Sequence, residues 1–235
     1  MKIVEEKVKP QRLAQKREIR ARYWWRFGET TPALFRAIAQ CDLVLVCCII
    51  GKHLSFAFLP NKMVYSHKLN VFAFDTYSTF CILQSRIHEI WARFFSSTMK
   101  DDLNYSPSDC FETFPFPENW ETNPTLETAG KEYYEFRADL MVRNNQGLTD
   151  TYNRFHDPDV GASATSGTVR DSDILKLREL HAKMDRAVLD AYGWTDIPTD
   201  CEFLLDYEEE EDENSRRKKP WRYRWPEEIH DEVLA

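Results

Sequence analysis

Basic and short polar side chains, placed where the chain is expected to turn, are the residues with the clearest potential for chemistry. Lys, His and Ser on protruding turns can reach phosphate oxygens and the edges of nucleic-acid bases. Arginines beside aromatic residues near the N-terminus add positive charge. The predicted contact residues are Arg20, Arg22, Lys52, His53, Lys62, Ser66, His67, Lys68, Gln84 and Arg86.

Two parts of this set also allow a structural interpretation. Gln84 and Arg86 belong to a helical stretch, where they could face nucleic acid or could bond to the following loop. Arg22 precedes Trp24 and Trp25, and adjacent residues of an extended chain face opposite ways. We therefore expect at least one of these two tryptophans to lie in the core.

Metal binding is a weaker interpretation of the acidic and histidine residues. His156 lies close to Asp157 and Asp159, and His181 precedes Asp185 by one helical turn, a spacing at which two ligands can share a metal. However, His181 lies on an apolar stripe and Asp185 lies off it. We expect a core histidine and a loop salt bridge, and we predict no metal site.

The motifs of several enzyme classes are absent from the sequence. There is no phosphate-binding G-x-x-x-x-G-K-[ST], no G-x-G-x-x-G and no G-x-S-x-G. The tetrapeptide (Asp/Asn)-Pro-Pro-aromatic, which holds a flipped base in amino-methyltransferases, is also missing. Asn123-Pro124 and Asp157-Pro158 lack its second proline. The chain is therefore predicted to be no enzyme by itself, with no catalytic residue and no cofactor of its own.

The charge is distributed unevenly along the chain. The net charge is −8, yet residues 1–100 hold 16 Lys and Arg against 7 Asp and Glu, which leaves −17 for residues 101–235. Such asymmetry indicates an anion-binding half, although a solvated basic helix that touches nothing fits equally well. The N-terminus has no secretory signal, and the longest apolar run, 43–50, is too short to span a bilayer. We predict a cytoplasmic protein without membrane contact, whose six cysteines are reduced and mostly buried.

The elements that would carry these residues follow from periodicity and from helix-terminating residues. Short apolar or alternating runs predict strands at 42–50, 55–59 and 71–74. Three- and four-residue steps predict helices that include Phe80–Phe94, Leu126–Leu140 and Ile174–Val188, the last with Ser172 as cap and Gly193 as terminator. Further predicted helices cover 7–22, 32–39 and the stretch after Pro226.

The remaining stretches are predicted to be irregular. The Phe-Pro repeat at 114–117 must be extended, 161–167 is a flexible connector, and the acidic tract at 206–213 is disordered. The fold class is α+β, with a small mixed or antiparallel sheet and packed helices, then a helical module and a flexible acidic tail. The predicted division is a recognition domain at 1–124, a helical module at 125–199, and an acidic linker with a truncated terminal helix at 200–235.

Taken in order, six stretches resemble the C-terminal region of type IIG restriction-modification methyltransferases, the MmeI-like and Eco57I-like group. They are spread over nearly the whole chain, from residue 22 to residue 235, in the order that the family has. They are RYWWRF at 22–27, LQSRIHEIWARFFSSTMKDDLNYSPSDCFETFPFP at 83–117, YYEFRADLM at 133–141, GLTDTYNRFHDPD at 147–159, LRELHAKMDRAVLDAYGW at 177–194 and RYRWPEEIHDEVLA at 222–235.

The resemblance implies a target recognition domain followed by a helical segment. Its partners would be double-stranded DNA and a methyltransferase catalytic domain or subunit, which would hold S-adenosylmethionine and the flipped adenine. The chain would then be a fragment or a split-gene product of a phage-defence system. Two alternatives remain open: a module that docks on a methyltransferase or defence complex without touching bases, and an enzyme of another type.

Overall fold

The structure is a computed structural model that describes residues 2–26, 31–99, 102–161, 169–205 and 221–235. Two compact units are present, residues 1–40 and residues 41–235. The helices and strands confirm the predicted α+β class. The connector at 162–167 and the acidic tract lie outside the described residues. None of the described helices is long and apolar enough to cross a membrane.

The first unit contains short helices. A π-helical turn at Val4–Val8 leads into α1 (Lys9–Leu13), and α2 (Glu18–Arg22) and α3 (Pro32–Ile38) follow. The continuous helix predicted over 7–22 is therefore interrupted between α1 and α2. Trp24 is half-buried, with the Lys9 ammonium 5.1 Å from its ring centroid, and Trp25 is 58% exposed. The expectation that at least one of these tryptophans lies in the core was wrong, since neither belongs to the buried core.

A three-stranded antiparallel sheet begins the second unit. The central strand is β1 (Leu43–Cys48). The next three strands along the chain are β2 (Ile50–Gly51), β3 (Phe56–Pro60) and β4 (Leu69–Phe72). The order in this sheet is β3-β1-β4, with Leu43 opposite Pro60 and Cys48 opposite Leu69. Because β3 and β4 both run antiparallel to β1, the segment 61–68 passes from one end of the sheet to the other.

A second small sheet lies in a stretch that was predicted to be a loop. The strands β5 (Ser97–Met99) and β6 (Asp102–Asn104) pair antiparallel, and β6 also pairs with β2. Strands of three residues carry too few side chains for a period of two to be recognised, so the pattern gave no signal. This sheet fixes the chain immediately before the turn that contains Lys52.

Two helices replace the single helix that was predicted across 80–94. They are α4 (Tyr77–Gln84) and α5 (Arg86–Phe95). Ser85 between them is extended, and its hydroxyl donates to the carbonyl of Ile82 (2.7 Å) and accepts from the N–H of His88 (3.3 Å). Ser85 is thus the N-cap of α5. The apolar stripe continues on both sides of the break, which concealed it.

Two long helices and one short helix follow, and both long helices pack against α4. They are α6 (Pro124–Asn144), the short α7 (Leu148–Phe155) and α8 (Val169–Tyr192). The Asn123 side chain caps α6, and Gly193 (φ +80°) ends α8 as predicted. Ser172 lies inside α8 and is not its cap. At Gly130 the backbone of α6 approaches α4 so closely that a Cβ would lie 2.2 Å from the Tyr77 carbonyl oxygen.

The C-terminal residues add a pair of antiparallel strands and a helix. Strand β7 (Glu202–Leu205) pairs antiparallel with β8 (Trp221–Arg224), and α9 (Glu227–Leu234) follows as predicted after Pro226. The sequence patterns did not predict these two strands. Tyr223 of β8 packs against the core, and Trp225, which follows β8, is fully buried. One core runs from the sheet through α8, so the packing has no break at the predicted boundary near residue 124, and that domain division stays a prediction.

Candidate nucleic-acid interface

The turn between β2 and β3 carries Lys52 and His53, and it is fixed by two residues from distant parts of the chain. Asn153 of α7 accepts at Oδ1 from the Lys52 ammonium (3.0 Å) and lies 3.0 Å from His53 Nε2. Arg222 of β8 donates to the Lys52 carbonyl (2.5 Å) and to His53 Nδ1 (2.8 Å). Since a guanidinium can only donate, His53 Nδ1 accepts, and its proton resides on Nε2.

His53 of this turn and His156 at the end of α7 are both uncharged. His53 stacks on His156 with ring centroids 5.1 Å apart. Burial and the nearby Arg222 guanidinium lower the pKa of His53 to about 4, and the same two causes hold the pKa of His156 well below its usual range. His53 is therefore a neutral hydrogen-bonding group at physiological pH, and Lys52 supplies the positive charge.

A cleft of about 550 Å³ opens beside this turn. It brings Lys52 together with α7 and with the loop that follows α7. The lining residues are Lys52, Asn153, Arg154, His156, Asp157, Pro158, Asp159 and Trp221. The cleft offers cationic, amide and carboxylate groups together, so it can both donate and accept hydrogen bonds.

The other predicted residues of the sheet region are exposed. Lys62, Ser66, His67 and Lys68 lie on the segment that crosses from β3 to β4. Lys62 follows the end of β3 beside Asp42, whereas the Lys68 carbonyl accepts from Ile49 at the opposite end of the sheet. The two lysines therefore lie near opposite ends of the sheet, and they do not form one cluster with each other.

Arg20 and Arg22 lie in the first unit, on α2. Arg22 is exposed, with its guanidinium 5.6 Å from the Tyr23 ring centroid, and Arg20 is half-buried. Arg26 lies 4.9 Å from the same ring centroid. This unit therefore presents a basic and aromatic surface of its own.

Gln84 is buried and bonds to the start of β3. Its Oε1 accepts from the Phe56 N–H (3.0 Å) and its Nε2 donates to the Leu54 carbonyl (3.2 Å). Arg137 of α6 donates to Gln84 Oε1 (3.1 Å) and to the Phe56 carbonyl (2.6 Å). Gln84 thus holds the strand that follows the Lys52 turn, and its burial does not support direct contact with DNA.

Arg86 is also buried, at 3% exposure, and pairs with Asp185 of α8. His181 Nδ1 lies 3.1 Å from Asp185 Oδ2 and 2.7 Å from Arg86 Nη1. Burial raises the pKa of the Asp185 carboxyl, but His181 and Arg86 together hold it below its usual range. The side chain of Arg86 therefore serves the interior, and its contact with DNA is likewise unsupported.

The acidic and histidine groups considered for metal binding have other contacts. Asp185 pairs with Arg86, and Asp157 Oδ1 accepts from the N–H of Asp159 (3.0 Å). Across the described residues, no three His, Cys, Asp or Glu side chains form a group that could hold a metal ion.

Sequence reasoning missed Asn153, Arg222 and Arg137. Asn153 lies 101 residues from Lys52, and Arg222 lies 170 residues from it, so no local pattern connects them. Their place in the sequence gave one signal: Asn153 and Arg222 both lie in segments that resemble the methyltransferase family.

This chain is similar to a known protein family and to one solved structure. Residues 2–118 match the family model described as MmeI, target recognition domain. A solved structure of the type IIL restriction-modification enzyme MmeI in complex with DNA aligns with 80% of this chain, with a TM-score of 0.52 and 20% sequence identity. This chain spans 23% of the length of that one, and the likeness concerns the fold. Comparison with curated proteins gives no match. Through residues 2–118, the chain belongs to the family of MmeI-like target recognition domains.

Proposed function

We propose that this chain recognises a DNA sequence on behalf of a restriction-modification enzyme. The observation that carries the proposal is the family of residues 2–118, a target recognition domain. The solved relative is a restriction-modification enzyme in complex with DNA, which supports the same partner for this chain. The cleft beside Lys52, with its mixture of donors and acceptors, is the surface best suited to base edges.

The chemistry that this recognition serves is proposed to be methylation of adenine with S-adenosylmethionine, as part of cytoplasmic defence against phage. The residues of this chain do not fit the cofactor: its seven glycines form no G-x-G-x-x-G loop, and the base-holding tetrapeptide is absent. The catalytic domain or subunit would therefore lie outside this sequence. This chain would contribute DNA contacts only, and no step of methyl transfer is assigned to it.

The exposed residues divide by role under this proposal. Lys62 and Lys68, at opposite ends of the sheet, are suited to phosphates on separate stretches of the DNA backbone, because an ammonium on a turn is a compact charge with free rotation. Lys52 is held in one place by Asn153, and such a fixed group is suited to a base edge. Phosphate contacts would supply affinity, and the cleft would supply sequence choice.

The test is binding of the full chain to duplex DNA, measured by fluorescence anisotropy as salt rises from about 50 to about 200 mM. We expect affinity to fall linearly with salt on logarithmic axes, because each neutralised phosphate releases bound counterions. Replacing Lys68 with Ala should weaken binding to all sequences alike and reduce that slope by about 1.

Lys183→Ala serves as the control, since Lys183 is an exposed lysine of α8 in an ion pair with Glu132. This variant should leave affinity and slope unchanged. If the full chain shows no salt-dependent binding to DNA, the proposal fails in favour of the docking module that the sequence also allows. Capture of the methyltransferase subunit without DNA binding would then identify that alternative.

A further inference from the structure

We infer that Asn153, on α7 and outside the family-matched segment, is a specificity-determining residue that acts with Lys52 on the guanine of a G·C pair. The inference rests on the proposed function, because it assigns a base to the cleft beside the Lys52 turn. It extends DNA reading beyond the matched residues 2–118 to α7.

The orientation of the Asn153 amide is fixed by its two neighbours. Lys52 Nζ can only donate, and the atom 3.0 Å from it must therefore be Oδ1. His53 Nε2, at 3.0 Å from the same oxygen, also donates, because Arg222 occupies Nδ1 as a donor. The Nδ2 group is consequently turned away from the turn, and within the described part of the chain it has no acceptor partner. Asn153 is an exposed residue on the wall of the cleft.

This orientation decides which base the residue suits. Asparagine commonly recognises adenine by donating from its amide nitrogen and accepting at its oxygen. In Asn153 the oxygen already accepts from two donors, so the side chain presents two N–H groups and no free acceptor. Lys52 likewise has only donors. A pair of donor groups matches the acceptor atoms O6 and N7 of guanine, or the oxygens of a phosphate.

The surroundings favour the guanine over the phosphate. A groove that follows the DNA backbone is expected to be basic throughout, but this cleft also contains the carboxylates of Asp157 and Asp159. Asp159 is exposed, and a carboxylate accepts from the N4 amino group of cytosine, which is the base paired with guanine. Donors beside an exposed acceptor therefore match the major-groove edge of one G·C pair.

The test uses the full chain with Asn153→Asp, and sequence preference is measured by selection from a random duplex pool. Aspartate retains an oxygen for Lys52 and His53 but loses both N–H donors. We expect the preference for G·C at one position of the site to fall by about fivefold to about 150-fold, the range that a good base contact supplies. Asn153→Ala, which removes the donors without adding charge, should lose the same preference.

Asn119→Asp is the matched control, because it adds the same charge at an exposed asparagine that does not line the cleft. It should leave the preference at that position intact. Uniform weakening of binding to all sequences by Asn153→Ala, with the preference for G·C retained, would indicate a phosphate contact and overturn the guanine assignment. Unchanged preference and affinity would remove Asn153 from the interface altogether. Both results leave the proposed function standing, whereas absence of DNA binding by the unmodified chain would overturn both proposals.

Discussion

The carboxylate of Asp185 accepts hydrogen bonds from both the backbone N–H and the guanidinium of Arg86, 99 residues earlier in the chain. The Asp185 side chain is fully buried and that of Arg86 is 4% exposed. The carboxylate also lies at the N-terminus of α5, where the helix dipole stabilises negative charge. This pair connects α5 of the matched segment to α8 beyond it, and both helices belong to the compact unit of residues 41–235.

Replacing Asp185 with Asn should lower the free energy of unfolding by about 3–5 kcal/mol, because it leaves the buried Arg86 guanidinium without its counter-charge. Urea denaturation of the full chain, followed by tryptophan fluorescence, measures the change. Glu132→Gln is the matched control, since Glu132 and Lys183 form an exposed pair worth at most about 1 kcal/mol. Equal effects of the two substitutions would show that the buried pair has no special energetic weight.

Gly130 should tolerate no side chain, because the α6 backbone contacts α4 at this residue. A Cβ would lie 2.2 Å from the Tyr77 carbonyl and 2.9 Å from Cys81 Cβ. Gly130→Ala should therefore destabilise the protein by about 1–3 kcal/mol or more, despite the better helix propensity of alanine. Gly147→Ala, where no atom lies within 4 Å of the added carbon, should be close to neutral. A gain in melting temperature for Gly130→Ala would contradict the close packing of these helices.

The free energy of unfolding should decrease as the pH is lowered below about 6.5, where histidines of the unfolded chain take up protons. Burial lowers the pKa of His88 from 6.5 to about 3, so the unfolded state binds a proton that the folded state excludes. Its contribution is complete above pH 6.5 and is lost as pH falls toward 3, at up to about 1.4 kcal/mol per pH unit. His88→Gln should flatten the slope between about pH 5.5 and 4.5 by that amount, as measured by urea unfolding at each pH.

His67→Gln provides the comparison for this experiment, because His67 is exposed on the segment that crosses between β3 and β4. This variant controls for the substitution of histidine by glutamine at a surface position. A slope that is the same in unmodified protein and His88→Gln would show that His88 is protonated in the folded state.

The central sheet could be predicted from sequence because each of its strands has a strong local pattern. The apolar run around β1 is buried in the middle of the strand and is flanked by β3 and β4, as expected. The pair β7–β8 could not be predicted, since its pairing joins residues that a long acidic tract separates in the chain. The break at Ser85 was hidden for another reason: the residues on both sides of it continue one apolar face.

The candidate site was predictable only as a set of exposed turns. Lys52, Lys62 and Lys68 were found because basic residues between apolar runs are expected at the surface, and they are exposed. Gln84 and Arg86 have the same residue chemistry, yet they are buried, because their partners come from α6 and α8. No pattern within a helix distinguishes a polar residue that faces solvent from one that meets a buried partner far away in sequence.

Burial of Gln84 and direct contact of Gln84 with DNA would have different consequences for its replacement. Gln84→Met keeps the volume but removes the partners of the Phe56 N–H and the Leu54 carbonyl. An unsatisfied buried polar group costs about 1–3 kcal/mol, so the free energy of unfolding should fall by at least that amount. The sequence preference in DNA selection should stay the same, since Asn153 and Arg222 still hold the Lys52 turn. If stability were retained while the preferred base changed at one position, Gln84 would be a direct DNA contact, and the surface that faces DNA would have to include α4.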